Sequence, residues 1–215
     1  MNLILIAPPA AGKGTFASRL TKEFGLVSIS AGELLRNIDP ETELGKQVRQ
    51  LQAKRELVPD ELINGLIKER LSKDDIKNGF ILDGYPRYMA QVDAVNETIK
   101  ELGLTIDYAV LLNVDYETAL KRTLGRVICP NCKRTYNKLT GVCKPINDNM
   151  CDDCNIELTT RGDDNEESFK KGFETYQKIT LPVAEYYKEK GMLIELNSNN
   201  DADYTFNEFK SKVEK

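Results

Sequence analysis

Four cysteines stand at Cys129, Cys132, Cys151 and Cys154, in the spacing C-x2-C-x18-C-x2-C. Two Cys-x-x-Cys turns joined by a short loop can bring four thiolates to one tetrahedral centre, the ligand set of a structural zinc ion. Zinc is favoured, although four thiolates also suit a lone iron. A redox Cys-x-x-Cys pair usually comes singly, at the start of a helix in a thioredoxin-like unit, and neither pair has that setting. Structural disulfides belong to secreted chains, and with no signal peptide read at the N-terminus none are expected here. Cys143 is off the pattern and reads as a bystander. With four protein ligands such a site has no open position, so its metal is expected to hold structure and to do no chemistry.

A second constellation lies at the N-terminus: Ala7-Pro8-Pro9-Ala10-Ala11-Gly12-Lys13-Gly14-Thr15. It departs from the Walker A pattern twice, with Ala7 at the first glycine and Gly14 where Ser or Thr follows the lysine. Its context is nevertheless that of a phosphate loop: a strand, a loop, Gly-Lys, and the start of a helix. Backbone N–H groups of such a loop and the helix N-terminus make an anion cradle, with Lys13 able to reach between β- and γ-phosphates.

The elements that must position these residues alternate in kind. Residues 2–7, 27–30, 80–83, 108–114 and 192–196 read as strands. Residues 13–24, 59–71, 91–102, 115–126, 166–190 and 203–213 read as helices, with Asp115 as an N-cap. Such alternation predicts an α/β chain with a parallel sheet covered on both faces. Residues 31–58 and 127–160 interrupt the rhythm and read as inserts above the carboxyl ends of the strands, where open α/β sheets bind ligands.

Composition narrows the chemistry. The chain has 215 residues, 40% of them hydrophobic, enough for one α/β core with small excursions. A net charge of −4 argues against a dedicated nucleic-acid binder. No apolar run approaches the roughly 20 residues of a membrane span, so no membrane partner is expected and a cytoplasmic protein is. Histidine is absent, which removes the commonest general base and the commonest catalytic metal ligand.

Three further segments complete a pattern. Ser30-Ala31-Gly32-Glu33-Leu34-Leu35-Arg36 places an arginine one turn past a glycine. Asp83-Gly84-Tyr85-Pro86-Arg87 follows a strand, and Thr160-Arg161-Gly162-Asp163-Asp164 closes the cysteine-bearing insert. In order and over nearly its whole length, the chain resembles the nucleoside monophosphate kinases, and within them a long-form adenylate kinase with a zinc-bearing lid.

The resemblance implies a P-loop NTPase-type core with a five-stranded parallel sheet, formed by residues 1–29, 59–125 and 162–215. It implies a small monophosphate-binding insert at 30–58 and a zinc-knuckle lid at 126–161. The implied reaction is reversible, Mg2+-dependent phosphoryl transfer from ATP to AMP, giving two ADP, in a cytoplasmic monomer. Ala10, Ala11, Gly12, Lys13, Gly14 and Thr15 would cradle the ATP phosphates, Arg122 and Arg126 would meet its base and phosphates, and the backbone near Asn200 would touch its adenine. Ala31, Arg36, Gly84, Tyr85, Pro86, Arg87, Gln91 and the backbone of Glu56, Leu57 and Val58 would line the AMP pocket. Arg36 and Arg87 would grip its phosphate, and Gln91 an adenine edge. Asp83 would be the magnesium-associated carboxylate, and Arg161, oriented by Asp163 and Asp164, would reach the phosphoryl group in flight. Phosphoryl transfer needs positioning and cations more than proton shuttles, so a chain without histidine loses nothing by it.

Three residues depart from the family pattern. Ala10 replaces a loop glycine, a strain if the position takes positive φ. Gly172 stands where a further phosphate-binding arginine is usual, leaving Lys171 as a point charge. Ala31 replaces the threonine usual in adenylate kinases and points toward UMP/CMP kinases, whereas Gln91 and the metal lid point back. A reading of another class, a zinc-ribbon nucleic-acid-binding protein with a P-loop ATPase, needs a basic knuckle. Residues 126–161 hold six Lys or Arg against four Asp or Glu, and a divalent ion with four thiolates cancels that excess.

Overall fold

The computed structural model describes residues 1–54, 58–140 and 143–214 of the chain. Glu56 and Leu57, expected at the AMP pocket, therefore lie outside the described residues. In chain order the elements are β1 (Leu3–Ile6), α1 (Lys13–Phe24), β2 (Val27–Ser30), α2 (Ala31–Arg36), α3 (Glu43–Lys54), α4 (Asp60–Leu71), β3 (Phe80–Asp83), α5 (Met89–Glu101) and β4 (Tyr108–Asn113). There follow α6 (Tyr116–Leu124), β5 (Arg126–Ile128), β6 (Thr135–Asn137), α7 (Glu166–Thr175), α8 (Leu181–Glu189), β7 (Leu193–Asn197) and α9 (Ala202–Val213). Five strands form one sheet in the order β2-β3-β1-β4-β7, the expected α/β architecture.

The apolar runs are unbroken because strands of a parallel sheet are covered on both faces. Every residue of β1 is buried, as are Phe80, Ile81 and Leu82 of β3 and Ala109 to Leu112 of β4. The parallel register sets Leu5 and Ser30 level with Asp83, so the carboxyl end of β3 aligns with those of its neighbours. β1 lies between β3 and β4, the place where successive connections turn to opposite sides of the sheet. Ligands of open α/β sheets bind beyond such a switch point.

The chain divides into two compact units. The first comprises Met1–Ile6, Lys13–Leu111 and Ile179–Glu195 and carries most of the sheet with α1 to α5 and α8. The second comprises Ala7–Gly12, Leu112–Lys178 and Leu196–Lys215. It holds α6, α7 and α9, an aromatic cluster of Tyr116, Phe169, Phe173 and Tyr176, and the antiparallel pair β5–β6.

Two expected helices end early. The run 166–190 is not one helix: a π-helical turn, Tyr176–Thr180, separates α7 from α8. Pro182 stands in the first turn of α8. It has no N–H to give the carbonyl four residues back, and the widened turn accommodates that loss. The run 115–126 stops at Leu124, with Gly125 as its C-cap, so Arg126 begins β5 and does not share a helix with Arg122. A Cβ at Gly125 would lie 2.3 Å from Asn137 Oδ1 and 2.8 Å from the Leu139 nitrogen, so only glycine fits this corner. Asp115 does cap α6, accepting from the Thr118 N–H at 2.7 Å.

Candidate active site and metal centre

In the first unit, β3 delivers Asp83 at its carboxyl end and α1 delivers Lys13 at its first position, and the two form an ion pair. Gly84 follows with φ of +76°, a conformation open to glycine. A Cβ there would lie 3.8 Å from Lys13 Nζ and 3.7 Å from an Arg87 terminal nitrogen. Both cations thus converge over one glycine. Arg87 also donates from Nε to the Gly84 carbonyl at 3.1 Å. Burial, and after it the Arg87 guanidinium, pull the Lys13 ammonium from its ordinary 10.5 down to about 8. Two cations against one carboxylate leave an excess positive charge that an anion such as a phosphate would neutralise.

Arg36 ends α2, whose N-cap is Ser30. Its guanidinium folds back over Gly32, 3.2 Å from where a Cβ would stand. Ala31 is buried. Tyr85 is buried too, with its hydroxyl donating to Asn64 Oδ1 at 2.6 Å, so the Gly84-Tyr85-Pro86 turn can offer a ligand mainly backbone. Gln91 is buried on α5: Oε1 accepts from the Arg87 N–H at 2.9 Å and Nε2 donates to Asp60 Oδ1 at 3.0 Å. Val58 is half-buried.

The second unit carries further expected residues. The loop begins here, and Ala10 takes φ of +59°, so the glycine-to-alanine change does fall on a left-handed position. Gly12 follows at φ +88°. Ser198 Oγ donates to the Ala11 carbonyl at 2.5 Å and tethers the loop. Arg122 donates to the carbonyls of Ser198, Asn199 and Asn200 at 2.6, 3.1 and 2.9 Å, which brings together two of the expected ATP-binding positions. Arg126 makes a two-pronged pair with the Asp164 carboxylate, Nε to Oδ2 at 2.8 Å and a terminal nitrogen to Oδ1. Arg161 and Asp163 are exposed on the turn leading into α7, and Asp164 is engaged by Arg126. Lys171 pairs with Glu167 at 2.8 Å on the exposed face of α7, and a Cβ at Gly172 would lie 3.4 Å from Pro9 of the loop.

The four cysteines of the knuckle do converge. Their sulfurs lie within 4.8 Å of one another, with Cys132 and Cys151 at 3.6 Å. A tetrahedral ion with bonds of about 2.3 Å to sulfur needs S···S spacings of roughly 3.8 Å, so the set fits a metal ion. The two halves are built alike: Lys133 and Asn155, each directly after the second cysteine of its pair, take φ of +62° and +52°. Cys129 and Cys151 carbonyls accept from the Lys133 and Asn155 N–H groups at 3.1 and 2.9 Å. Among the described residues, the buried apolar cluster beside them is Val127, Tyr136 and Leu158 with Cys129 and Cys151. A core this small would gain stability from a bound ion.

Comparison with known proteins decides the family. The adenylate kinase family model matches residues 5–192. Adenylate kinase of Thermosipho africanus is 42% identical over 97% of each chain, and that of Archaeoglobus fulgidus 41% identical over the whole of this chain and 99% of its own. Adenylate kinase of Caldicellulosiruptor bescii is 45% identical over 90% of each. The chain belongs to the adenylate kinase family.

Membership makes it an enzyme of nucleotide phosphoryl transfer. Among the described residues no helix is long and apolar enough to cross a membrane. Several residues that hold the candidate residues of each unit in place are silent in the sequence. Ser198 tethers the loop from 187 positions away, and Asp60 reaches Tyr88 and Gln91 from 28 and 31 away. Asn137 secures the exit of α6, donating to the Arg122 carbonyl at 2.8 Å and accepting from Leu139 and Thr140 N–H groups. None sits in a motif, and a lone polar residue carries no sign of a distant partner.

Proposed function

We propose that the protein transfers the γ-phosphoryl group of Mg-ATP to AMP, reversibly, giving two ADP. The observation that carries this reading is the convergence of Lys13 and Arg87 over Gly84, beside the Asp83 carboxylate. In the reaction an oxygen of the AMP phosphate forms a bond to the γ-phosphorus as the bond to the β-bridging oxygen breaks, and ADP leaves with that electron pair. The attacking oxygen is already ionised, so no protein base or nucleophile takes part. The protein's contribution is to align the groups and to balance charge that spreads over the phosphoryl oxygens.

In this reading residues 10–15 hold the ATP phosphates with Lys13 as their principal cation. Arg122, Arg126 and the backbone at Asn200 serve ATP, while Arg36 and Arg87 bind the AMP phosphate. Glu56, Leu57, Val58, Ala31 and Gln91 shape the pocket for its base. Arg161, with Asp163, steadies the group in flight, and Asp164 orients Arg126. Guanidinium groups suit the task because each offers two parallel donors and a permanent charge. Asp83 is the carboxylate that would stand with Mg2+, which neutralises phosphate charge when bound. Residues 30–58 act as the monophosphate-binding insert and 126–161 as the lid, around a core of 1–29, 59–125 and 162–215. Zinc, held by Cys129, Cys132, Cys151 and Cys154, would keep the lid folded and take no part in the chemistry. The enzyme acts as a cytoplasmic monomer on ATP, AMP and ADP.

Product stoichiometry tests this reaction. With ATP, AMP and Mg2+, chromatography should show two ADP formed for each ATP lost, and none formed in excess EDTA. Release of inorganic phosphate with one ADP per ATP would mean that water is the acceptor and the reading is wrong.

A further inference from the structure

The starts of α4 and α5, which pack together, are joined by one carboxylate. Asp60, the first residue of α4, accepts at Oδ1 from the Tyr88 hydroxyl and from Gln91 Nε2, the latter at 3.0 Å. Gln91 Oε1 accepts from the Arg87 N–H at 2.9 Å. The carboxylate lies at the positive end of the α4 dipole, where a negative charge is favoured. Burial and Asp60 together push the Tyr88 hydroxyl up to about 12, in keeping with its role as a proton donor.

We propose that Asp60 and Tyr88 are positioning residues that lock the orientation of the Gln91 amide, and that this lock lets the site discriminate 6-amino from 6-oxo purine monophosphates. The inference rests on the reading that the monophosphate base reaches Gln91. An amide end has an oxygen and an NH2 of similar size, and rotation by half a turn exchanges them. Here rotation would set Oε1 against the Asp60 oxygen and Nε2 against the Arg87 N–H, so both hydrogen bonds would become repulsions. In the locked state Nε2 keeps one N–H to give and Oε1 one lone pair to accept with. A 6-aminopurine presents an acceptor at N1 beside a donor at its amino group. A 6-oxopurine presents a donor at N1 beside an acceptor, the reverse order. An amide of one orientation can match only one of them in a given pose, and an unlocked amide can serve either. Because Gln91 also bonds the Arg87 backbone, the same lock couples base recognition to an arginine of the phosphate site.

AMP and inosine monophosphate differ only at this edge and make the probe pair. The AMP-over-IMP ratio of kcat/KM should fall about tenfold in Asp60→Ala, the scale of a lost hydrogen bond to a charged group. KM for AMP should rise while KM for ATP stays within twofold. Asp60→Asn, which keeps one accepting oxygen, should restore most of the ratio, and Tyr88→Phe should lower it by about threefold. A merely structural role would slow AMP and IMP alike. Should Asp60→Ala melt below the assay temperature, Tyr88→Phe decides. An AMP-over-IMP ratio unchanged in the folded variant overturns this inference alone. A wild-type enzyme that does not use AMP overturns the underlying reading and this inference with it.

Discussion

Lys13 is held as an ammonium of lowered proton affinity, about 8 against an ordinary 10.5, because it is buried beside Arg87. Below that pH it is charged, and above it the free enzyme loses the cation proposed to meet phosphate. We therefore expect kcat/KM for ATP to fall as pH rises through about 8, well before an ordinary lysine would titrate. The limb in kcat should lie higher, since bound phosphates hold the proton on. A kcat/KM flat to pH 10 would show that Lys13 remains charged throughout. Lys13→Met should keep the circular dichroism of the wild type and lose turnover. Retention of more than about a tenth of kcat would mean that under 1.4 kcal/mol came from this cation, too little for the role assigned to it. Ala10 is the residue-scale cost of this loop: at φ +59° an alanine is strained where glycine is not. Ala10→Gly relieves that strain but gives the unfolded chain more freedom, so a net gain of up to about 1 kcal/mol is expected in urea unfolding.

Among the elements, the corner after α6 is tightly constrained, since Gly125 has Asn137 and Leu139 where a side chain would go. Gly125→Ala must displace the start of β5 and should cost about 2 kcal/mol or more, measured by thermal or urea unfolding. The sequence was readable wherever local chemistry decides. The apolar strands, the Asp115 cap and the helix after Gly12-Lys13 carry their signals within a few residues. Its misreadings come from single residues that override periodicity. Pro182 and Gly125 interrupt runs whose apolar spacing alone continues through 166–190 and 115–126. The Asp60–Tyr88–Gln91 contacts and the Ser198 tether had no local signal, because they exist only once distant segments meet.

At the scale of the whole molecule, the cysteine knuckle serves stability and the α/β core chemistry in the proposed reading. Lys13, Arg87 and Arg36 lie on segments without a cysteine ligand, and among the described residues the knuckle's core cluster is five buried residues. Chelation should thus lower the melting temperature and raise hydrogen exchange across 127–160, and Cys129→Ser should affect stability more than low-temperature kcat. A metal-free protein of full melting temperature but no activity would require a catalytic metal instead. The central claim, that this anion site moves phosphoryl groups onto AMP, is tested most directly by a coupled kinase assay with Mg-ATP over AMP, UMP, CMP and GMP. The account predicts the highest kcat/KM with AMP. A higher value with UMP or CMP would show that the buried Ala31 methyl, and not Gln91, sets the choice of base, and would contradict it.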